Sequence, residues 1–270
     1  MARMAAPAAS ASRSTALKVN RSALAAITYA FLTRKRLGLQ ICSSQYSPLA
    51  SLASQEEMQK PMNTEIALSA LLCSRLCHDL ISPVGAFSNG IEILADEDDP
   101  DMRQEVFKLL GQSVQQAGAR LTFFRMAFGA GGGFGDRSPA DSVRDTLTAY
   151  FAGGKVAIDW KVSLGELDRD TVKIILNLAL LAADALPRGG GITVEAIRAT
   201  GGLDIAVVAQ GDRLLNKPEI AKILANGCSI ADLDSKTAPA YLVHQLVAAQ
   251  GGAVKVIGDG HQAVTYRVRL

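Results

Sequence analysis

The sequence has 270 residues, of which 49% are hydrophobic and 20% are charged, so it is long enough to bury a core in one or two globular domains. Its formal net charge of +2 is unevenly distributed, because residues 1 to 61 hold eight bases and only two acids. Residues 62 to 270 therefore hold 20 bases and 24 acids, a net charge of −4. This mild negative charge argues against nucleic acid as the main partner.

Residues 1 to 61 show no pattern that supports a fold. Their Ala-, Ser- and Arg-rich start has the composition of a transit peptide, and the apolar stretch 23–32 is too short to span a bilayer. We interpret this segment as a disordered extension, or as the product of an incorrectly assigned start when Met62 is the natural first residue. We expect a cytoplasmic protein that does not bind a membrane.

The next segment predicts a helical hairpin over residues 62–128. Between residues 66 and 94, apolar residues recur at alternating spacings of four and three, which is typical of a coiled-coil seam. The predicted seam consists of Ile66, Ala70, Cys73, Cys77, Leu80, Val84, Phe87, Ile91 and Leu94. Asp99 can cap a second helix that has Pro100 at its first position. Because two helices alone bury little, we expect a second copy to complete a four-helix bundle; the alternative is packing only on the C-terminal domain.

His78 lies one residue past a seam position, so its imidazole is expected to point away from the buried stripe. Its helical neighbours Ser74, Ser82 and Gly85 are small and leave room for another protein to reach Nε2. This arrangement suits an in-line phosphoryl acceptor, although a histidine on a helix is more often an ordinary surface residue. His244, on a later helix, and His261, in a turn, look less suitable.

Two charged neighbours are candidates for assisting His78. Arg75, one turn earlier, could neutralise phosphoryl oxygens, or it is an ordinary surface charge. Asp79 is the candidate for tuning the imidazole, although residues one apart on a helix do not face each other, so a direct bond is not expected. The alternative for Asp79 is a solvated surface acid.

The four cysteines, Cys42, Cys73, Cys77 and Cys228, show no disulfide framework and are expected to be buried thiols in a reducing cytosol. A metal site built from Cys73, Cys77 and His78 would need further ligands, and the sequence offers no second cluster.

A Gly-rich linker at 129–137 separates the hairpin from a second domain, 138–270. Ser138 and Pro139 are expected to cap its first helix. Helices are predicted at 139–152, 168–186 and 239–249, with shorter helical pieces up to 226. Strands are predicted at 156–162, 191–198, 203–209, 253–257 and 262–269. The fold class is α+β: a hairpin followed by an α/β sandwich with mostly antiparallel strands.

The run from His78 to Pro83, HDLISP, resembles the H-box of sensor histidine kinases, and the second domain resembles their Bergerat-type ATP-binding domain. The stretch 177–190 is similar to the N-box, but Leu181 stands where an asparagine holds magnesium. Ala209 stands where an aspartate reads adenine, and Arg213, Thr237 and Pro239 replace glycines of the nucleotide-binding boxes. The residues at these positions offer no oxygen ligand for magnesium, no carboxylate for adenine and no glycine backbone that could approach the phosphates. ATP binding is therefore expected to be lost.

Together with the stretches 72–86 and 186–190, this pattern resembles the ChpT-type histidine phosphotransferases of alphaproteobacteria. That resemblance implies a homodimer with two phosphorylatable histidines and degenerate kinase-like domains. It implies a phosphorelay that controls the cell cycle, from the receiver domain of a CckA-like hybrid kinase to response regulators of the CtrA and CpdR type. In this reading the receiver brings its own Mg²⁺ and the chain needs no cofactor.

Receiver docking is expected on the exposed part of the hairpin. The residues concerned are Leu71, Ser74, Arg75, Ser82, Gly85, Phe87 and Asn89. Two rival functions remain: an active ATP-dependent histidine kinase, which predicts nucleotide binding, and a non-catalytic dimeric scaffold for receiver proteins.

Overall fold

The computed structural model describes residues 63–129, 136–215, 217–258 and 262–270. The predicted N-terminal extension, most of the predicted linker, Cys42 and His261 lie outside these ranges. The helices are α1 Thr64–Asp96, α2 Pro100–Phe128, α3 Ala140–Phe151, α4 Arg169–Asp184, α5 Pro218–Asn226 and α6 Ala238–Ala249, with a 3₁₀ turn at Ile230–Asp232. The strands are β1 Arg137–Pro139, β2 Val156–Val162, β3 Glu166–Asp168, β4 Gly190–Ala199, β5 Gly202–Gln210, β6 Ala253–Gly258 and β7 Ala263–Arg269.

The two long helices form the predicted hairpin. The Asn63 side chain caps α1 by accepting from the Glu65 amide at 3.0 Å. Asp99 caps α2 as expected, since its carboxylate accepts from the amides of Asp101 and Met102, and Pro100 occupies the first helical position. The helices approach closely at Gly90, where an added Cβ would lie 2.6 Å from the Leu110 side chain.

In the single chain the predicted seam is mostly exposed, and α2 packs on another face of α1. Ile66, Val84 and Ile91 are exposed, whereas the buried residues of the helix include Leu72, Pro83 and Gly90. Cys73 and Cys77 are likewise exposed rather than buried, and Cys228 is half-buried. Helix α1 carries apolar residues on two faces, and within the chain α2 packs against the face next to the predicted seam.

The second domain is built on a five-stranded sheet in the order β2-β4-β5-β7-β6. β2 and β4 are parallel and the other neighbours are antiparallel, in line with the prediction of mostly antiparallel strands. The expected cap at Ser138 is wrong, because Ser138 lies in β1, which pairs with β3 opposite Leu167. Pro139 precedes α3 without a side-chain cap.

Helix α4 lies at the centre of the core, and 11 of its 16 residues are buried. The end of α2 joins the same core, because Phe123 and Phe124 are almost wholly buried in it together with residues of α3 and α4. The hairpin is therefore fixed to the sandwich through the last two turns of α2. Among the described residues, no helix is both long and apolar enough to cross a bilayer.

Candidate active site

The imidazole of His78 lies on the surface of α1, as predicted, with 70% of the side chain exposed. Ser74 and Ser82, one turn to either side, are also exposed, and nothing lies within 4 Å of a Cβ placed on Gly85. The small neighbours leave the ring accessible to another protein. Its Nδ1 atom is nevertheless held, because it lies 3.0 Å from Asp79 Oδ1.

The contact between His78 and Asp79 overturns two expectations. Residues one apart on a helix were not expected to meet, and a solvated acid was the alternative reading of Asp79. Its side chain is instead only 13% exposed, and its other oxygen, Oδ2, accepts from the Tyr150 hydroxyl at 2.8 Å. Arg75 Nε lies 3.4 Å from the same oxygen. The carboxylate can reach the imidazole because groups outside the His-Asp pair hold it.

These contacts shift the pKa values of Asp79 and Tyr150. Burial by itself raises the pKa of Asp79, but the hydrogen bond with His78, the charge of Arg75 and the Tyr150 hydroxyl together lower it below 3.8. Burial and the nearby Asp79 carboxylate raise the pKa of Tyr150. At neutral pH the site therefore holds an ionised Asp79 and a protonated Tyr150 that donates to it.

Arg75 is buried, so it is not the ordinary surface charge that was the alternative interpretation. Its side chain is 7% exposed and forms a bidentate ion pair with Asp184, at 2.6 and 3.0 Å. Asp184 ends α4, so this pair joins the hairpin to the sandwich. The structure thus shows Arg75 joining the two domains and contacting Asp79. Its role in neutralising phosphoryl oxygens stays a prediction.

A second arginine, Arg120 of α2, compensates for the proline of the H-box-like run. Pro83 has no amide hydrogen, so it cannot donate to the carbonyl oxygen four residues earlier, which is that of Asp79. The Arg120 guanidinium donates to this carbonyl oxygen instead. The backbone at Asp79 is therefore tied to α2 at the position where α1 lacks its own hydrogen bond.

A cleft of about 450 Å³ opens beside His78. Its walls come from α1, from Gln116 and Arg120 of α2, and from Tyr150 and the turn at 152–155, which carries Lys155. Sequence reasoning missed Tyr150, Arg120 and Asp184. No local signal could have found Tyr150 or Arg120, because each is one polar residue within an amphipathic helix. Asp184 lies in the N-box-like stretch, yet nothing there points to Arg75.

The predicted docking residues are spread along α1. Ser74, Ser82, Gly85, Phe87 and Asn89 are exposed, and Leu71 is half-buried. Arg75 is buried, so it does not belong to the exposed docking surface. His244 is a less suitable nucleophile, as expected, because it is half-buried and its Nδ1 lies 3.2 Å from the Leu224 carbonyl oxygen.

The positions that differ from an ATP-binding domain are mostly part of the core. Leu181 and Ala209 are buried, and Pro239 is buried at the start of α6. Asn177 is fully buried, and its amide donates to the carbonyl oxygens of Ala127 and Lys173. A cavity of about 280 Å³ remains beside Leu181. Within the described ranges, no three His, Cys, Asp or Glu side chains cluster so as to hold a metal ion.

Comparison with known proteins identifies the family of the chain. The histidine phosphotransferase C-terminal domain family matches residues 140–262. The protein phosphotransferase ChpT of Brucella abortus (strain 2308) is 33% identical over 193 residues, which cover 70% of this chain and 88% of that protein. A solved bacterial phosphotransferase is 27% identical, with a TM-score of 0.65 over 76% of this chain and 96% of the other. An α+β chain with an accessible histidine on its hairpin, and with this degree of identity over most of its length, belongs to the ChpT family of protein phosphotransferases.

Proposed function

We propose that this chain relays a phosphoryl group through His78, between the receiver aspartate of a hybrid histidine kinase and the receiver aspartate of a response regulator. The observation that carries the proposal is the imidazole of His78, which is exposed at the surface while Asp79 holds its Nδ1 atom. The second ring nitrogen, Nε2, is then the one available to another protein.

The chemical step is an in-line displacement at phosphorus. The lone pair of neutral Nε2 forms the new N–P bond, the P–O bond of the aspartyl phosphate breaks, and the receiver aspartate leaves as a carboxylate. The proton on Nδ1 stays in place, so the phosphorylated ring gains positive charge, which the Asp79 carboxylate stabilises. Running the same step in reverse delivers the phosphoryl group to a second receiver.

The chain needs no cofactor of its own for this step. Phosphoryl transfer depends on positioning and charge neutralisation, and the acidic pocket of the receiver supplies the Mg²⁺. We further propose that ATP is not used, since buried Leu181 and Ala209 offer neither an oxygen ligand for magnesium nor a carboxylate for adenine.

The exposed seam supports the proposal of a homodimer. Ile66, Val84 and Ile91 are each at least half exposed in the single chain, so the hairpin presents a long apolar stripe. A second hairpin that covers this stripe would complete a four-helix bundle and place one His78 on each side.

The proposed partners are a receiver domain of a CckA-like hybrid kinase and response regulators of the CtrA and CpdR type, in a cytoplasmic relay that controls the cell cycle. Docking is proposed on the exposed side of α1 near His78, at Leu71, Ser74, Ser82, Gly85 and Asn89. The net charge of −4 over residues 62–270 gives no support for a nucleic-acid partner.

Transfer of labelled phosphate from a phosphorylated receiver domain to the full chain, without ATP, tests the proposal. We expect label on the native chain and on His244→Gln, and none on His78→Gln. His244→Gln is the matched control, because it makes the same substitution at a histidine outside the site.

Two results would contradict the proposal. If the native chain binds the receiver as tightly as His78→Gln does and neither takes up label, the chain is a scaffold. If labelled ATP and Mg²⁺ alone label His78, the chain is an ATP-dependent kinase.

A further inference from the structure

Tyr150, at the end of α3 in the second domain, contacts the site from outside the hairpin. Its hydroxyl donates to Asp79 Oδ2 at 2.8 Å, while Asp79 Oδ1 lies 3.0 Å from His78 Nδ1. We infer that Tyr150 is a positioning residue for phosphotransfer, which acts through Asp79 to keep the proton of His78 on Nδ1. This inference rests on the proposed function and assigns part of it to the second domain.

The tyrosine is the main anchor of the carboxylate. Its 2.8 Å contact is an ordinary hydrogen bond, whereas Arg75 Nε at 3.4 Å is near the limit of the interaction, and the Arg75 terminal nitrogens are engaged with Asp184. Successive side chains on an α-helix diverge by about 100°. An external anchor is therefore what allows Asp79 to bend toward the residue before it.

The ring of Tyr150 is fixed by aromatic neighbours. It stacks on Phe123 with centroids 4.1 Å apart, and it meets Phe124 and Phe151 edge-on at 5.8 and 4.9 Å. Phe123 and Phe124 belong to the buried core, so the position of the hydroxyl is set by the packing of α2 against α3. Burial and the Asp79 charge keep this hydroxyl protonated, so it remains a donor to the carboxylate.

The consequence for His78 follows from proton counting. A neutral imidazole carries one ring proton, and an ionised carboxylate can only accept, so the contact with Asp79 requires that proton on Nδ1. Nε2 then carries the lone pair that attacks phosphorus. Tyr150 exchanges no proton and touches no reacting atom. The second domain thereby gains a role in phosphotransfer that needs no nucleotide.

The test compares Tyr150→Phe with the native full chain, and uses Tyr241→Phe as the matched control, because Tyr241 is also buried but lies on α6. The first measurement is ¹⁵N NMR of histidine-labelled protein at pH 8, where an ordinary imidazole is neutral; the His78 signals are those absent from His78→Gln. We expect Nδ1–H alone in the native chain and in Tyr241→Phe, and a mixture of the two tautomers in Tyr150→Phe.

The second measurement is phosphoryl uptake from a receiver domain, which we expect Tyr150→Phe to slow about tenfold without weakening receiver binding. An unchanged tautomer in Tyr150→Phe overturns the inference, whether or not the rate falls, since a slower rate alone would then reflect packing. If no variant takes up phosphate but the tautomer still shifts, the proposed function fails and the positioning contact stands.

Discussion

Asp79 meets four other groups: the His78 ring, the Tyr150 hydroxyl and Arg75 at its carboxylate, and Arg120 at its backbone carbonyl. Each of the last three comes from a different helix, so both the backbone and the carboxylate are constrained. Two of these groups donate to Oδ2, which leaves Oδ1 for the imidazole. The orientation of the exposed His78 ring therefore depends on a neighbour that is itself largely buried.

Asp79→Asn is expected to move the ring proton of His78 to the other nitrogen. Because Arg75 and Tyr150 both donate to the Oδ2 position, the amide oxygen of the variant will turn toward them and its NH₂ group toward His78. An NH₂ group donates to Nδ1, which moves the ring proton to Nε2 and blocks the nucleophile. We expect phosphoryl uptake to fall about a hundredfold or more, measured as the rate of label transfer from a phosphorylated receiver.

Asp141→Asn is the control for this prediction, because Asp141 is an exposed acid of α3. Equal rates in the two variants would show that Asp79 does not orient His78.

Asp79→Asn should also change how the stability of the chain depends on pH. The pKa of Asp79 is lowered in the folded chain, so the stabilising contribution of this carboxylate is present above about pH 4 and is lost as the pH falls further. Asp79→Asn should therefore lose less stability than the native chain on acidification.

Helix α1 is adapted to a proline within it. Pro83 leaves the Asp79 carbonyl oxygen without its helical donor, and Arg120 of the neighbouring helix supplies one. Helix α1 therefore depends on α2 for a hydrogen bond at the residue that follows His78. The same bond fixes α1 against α2, so the hairpin and the site share one support.

A double-mutant cycle tests whether Arg120 replaces the hydrogen bond that Pro83 removes. Arg120→Met leaves the carbonyl oxygen unsatisfied and is expected to lower the free energy of unfolding by about 1–3 kcal/mol in urea titrations. In the Pro83→Ala background the backbone amide gained at position 83 can donate to the same oxygen. Arg120→Met should therefore lower the free energy of unfolding clearly less in that background. Equal costs in both backgrounds would mean that Arg120 stabilises the hairpin by other contacts.

Two features connect the hairpin to its surroundings. The Arg75–Asp184 ion pair and the aromatic cluster around Tyr150 fix it to the sandwich of the same chain. Its exposed apolar stripe offers a surface for a second chain. The hairpin that carries the histidine therefore serves both the attachment within the chain and the proposed dimer contact.

Ile91→Glu tests the proposed homodimer. Ile91 is 50% exposed on the stripe, so a buried carboxylate there would disfavour association, and we expect the sedimentation velocity of the variant to be that of a monomer. Ile257→Glu is the control, because Ile257 is 56% exposed but lies on β6 of the sandwich. A dimer that persists in Ile91→Glu, or that is lost equally in both variants, would contradict the bundle arrangement.

The amino-acid sequence was enough to predict the hairpin, the main helices, the five strands of the large sheet and the exposure of His78, but not the pair of short strands β1 and β3. The cap at Asp99, the proline at position 100 and the alternating strand patterns are local signals, and local signals fix helices and strands to within a few residues. The position of His78 beside small residues was readable for the same reason. The predominance of antiparallel strands also followed from the succession of elements.

The groups that surround His78 come from residues far apart in the sequence. The contact of Asp79 with Tyr150 spans 71 residues and that of Arg75 with Asp184 spans 109, so neither leaves a mark in a local pattern. Which apolar face of α1 meets α2 was also undetermined, since both faces carry helical periodicity. All three features depend on how elements pack against one another. The burial of Asp79 and Arg75 depends on how the sandwich packs on the hairpin, and the buried face of α1 depends on how α2 packs on it.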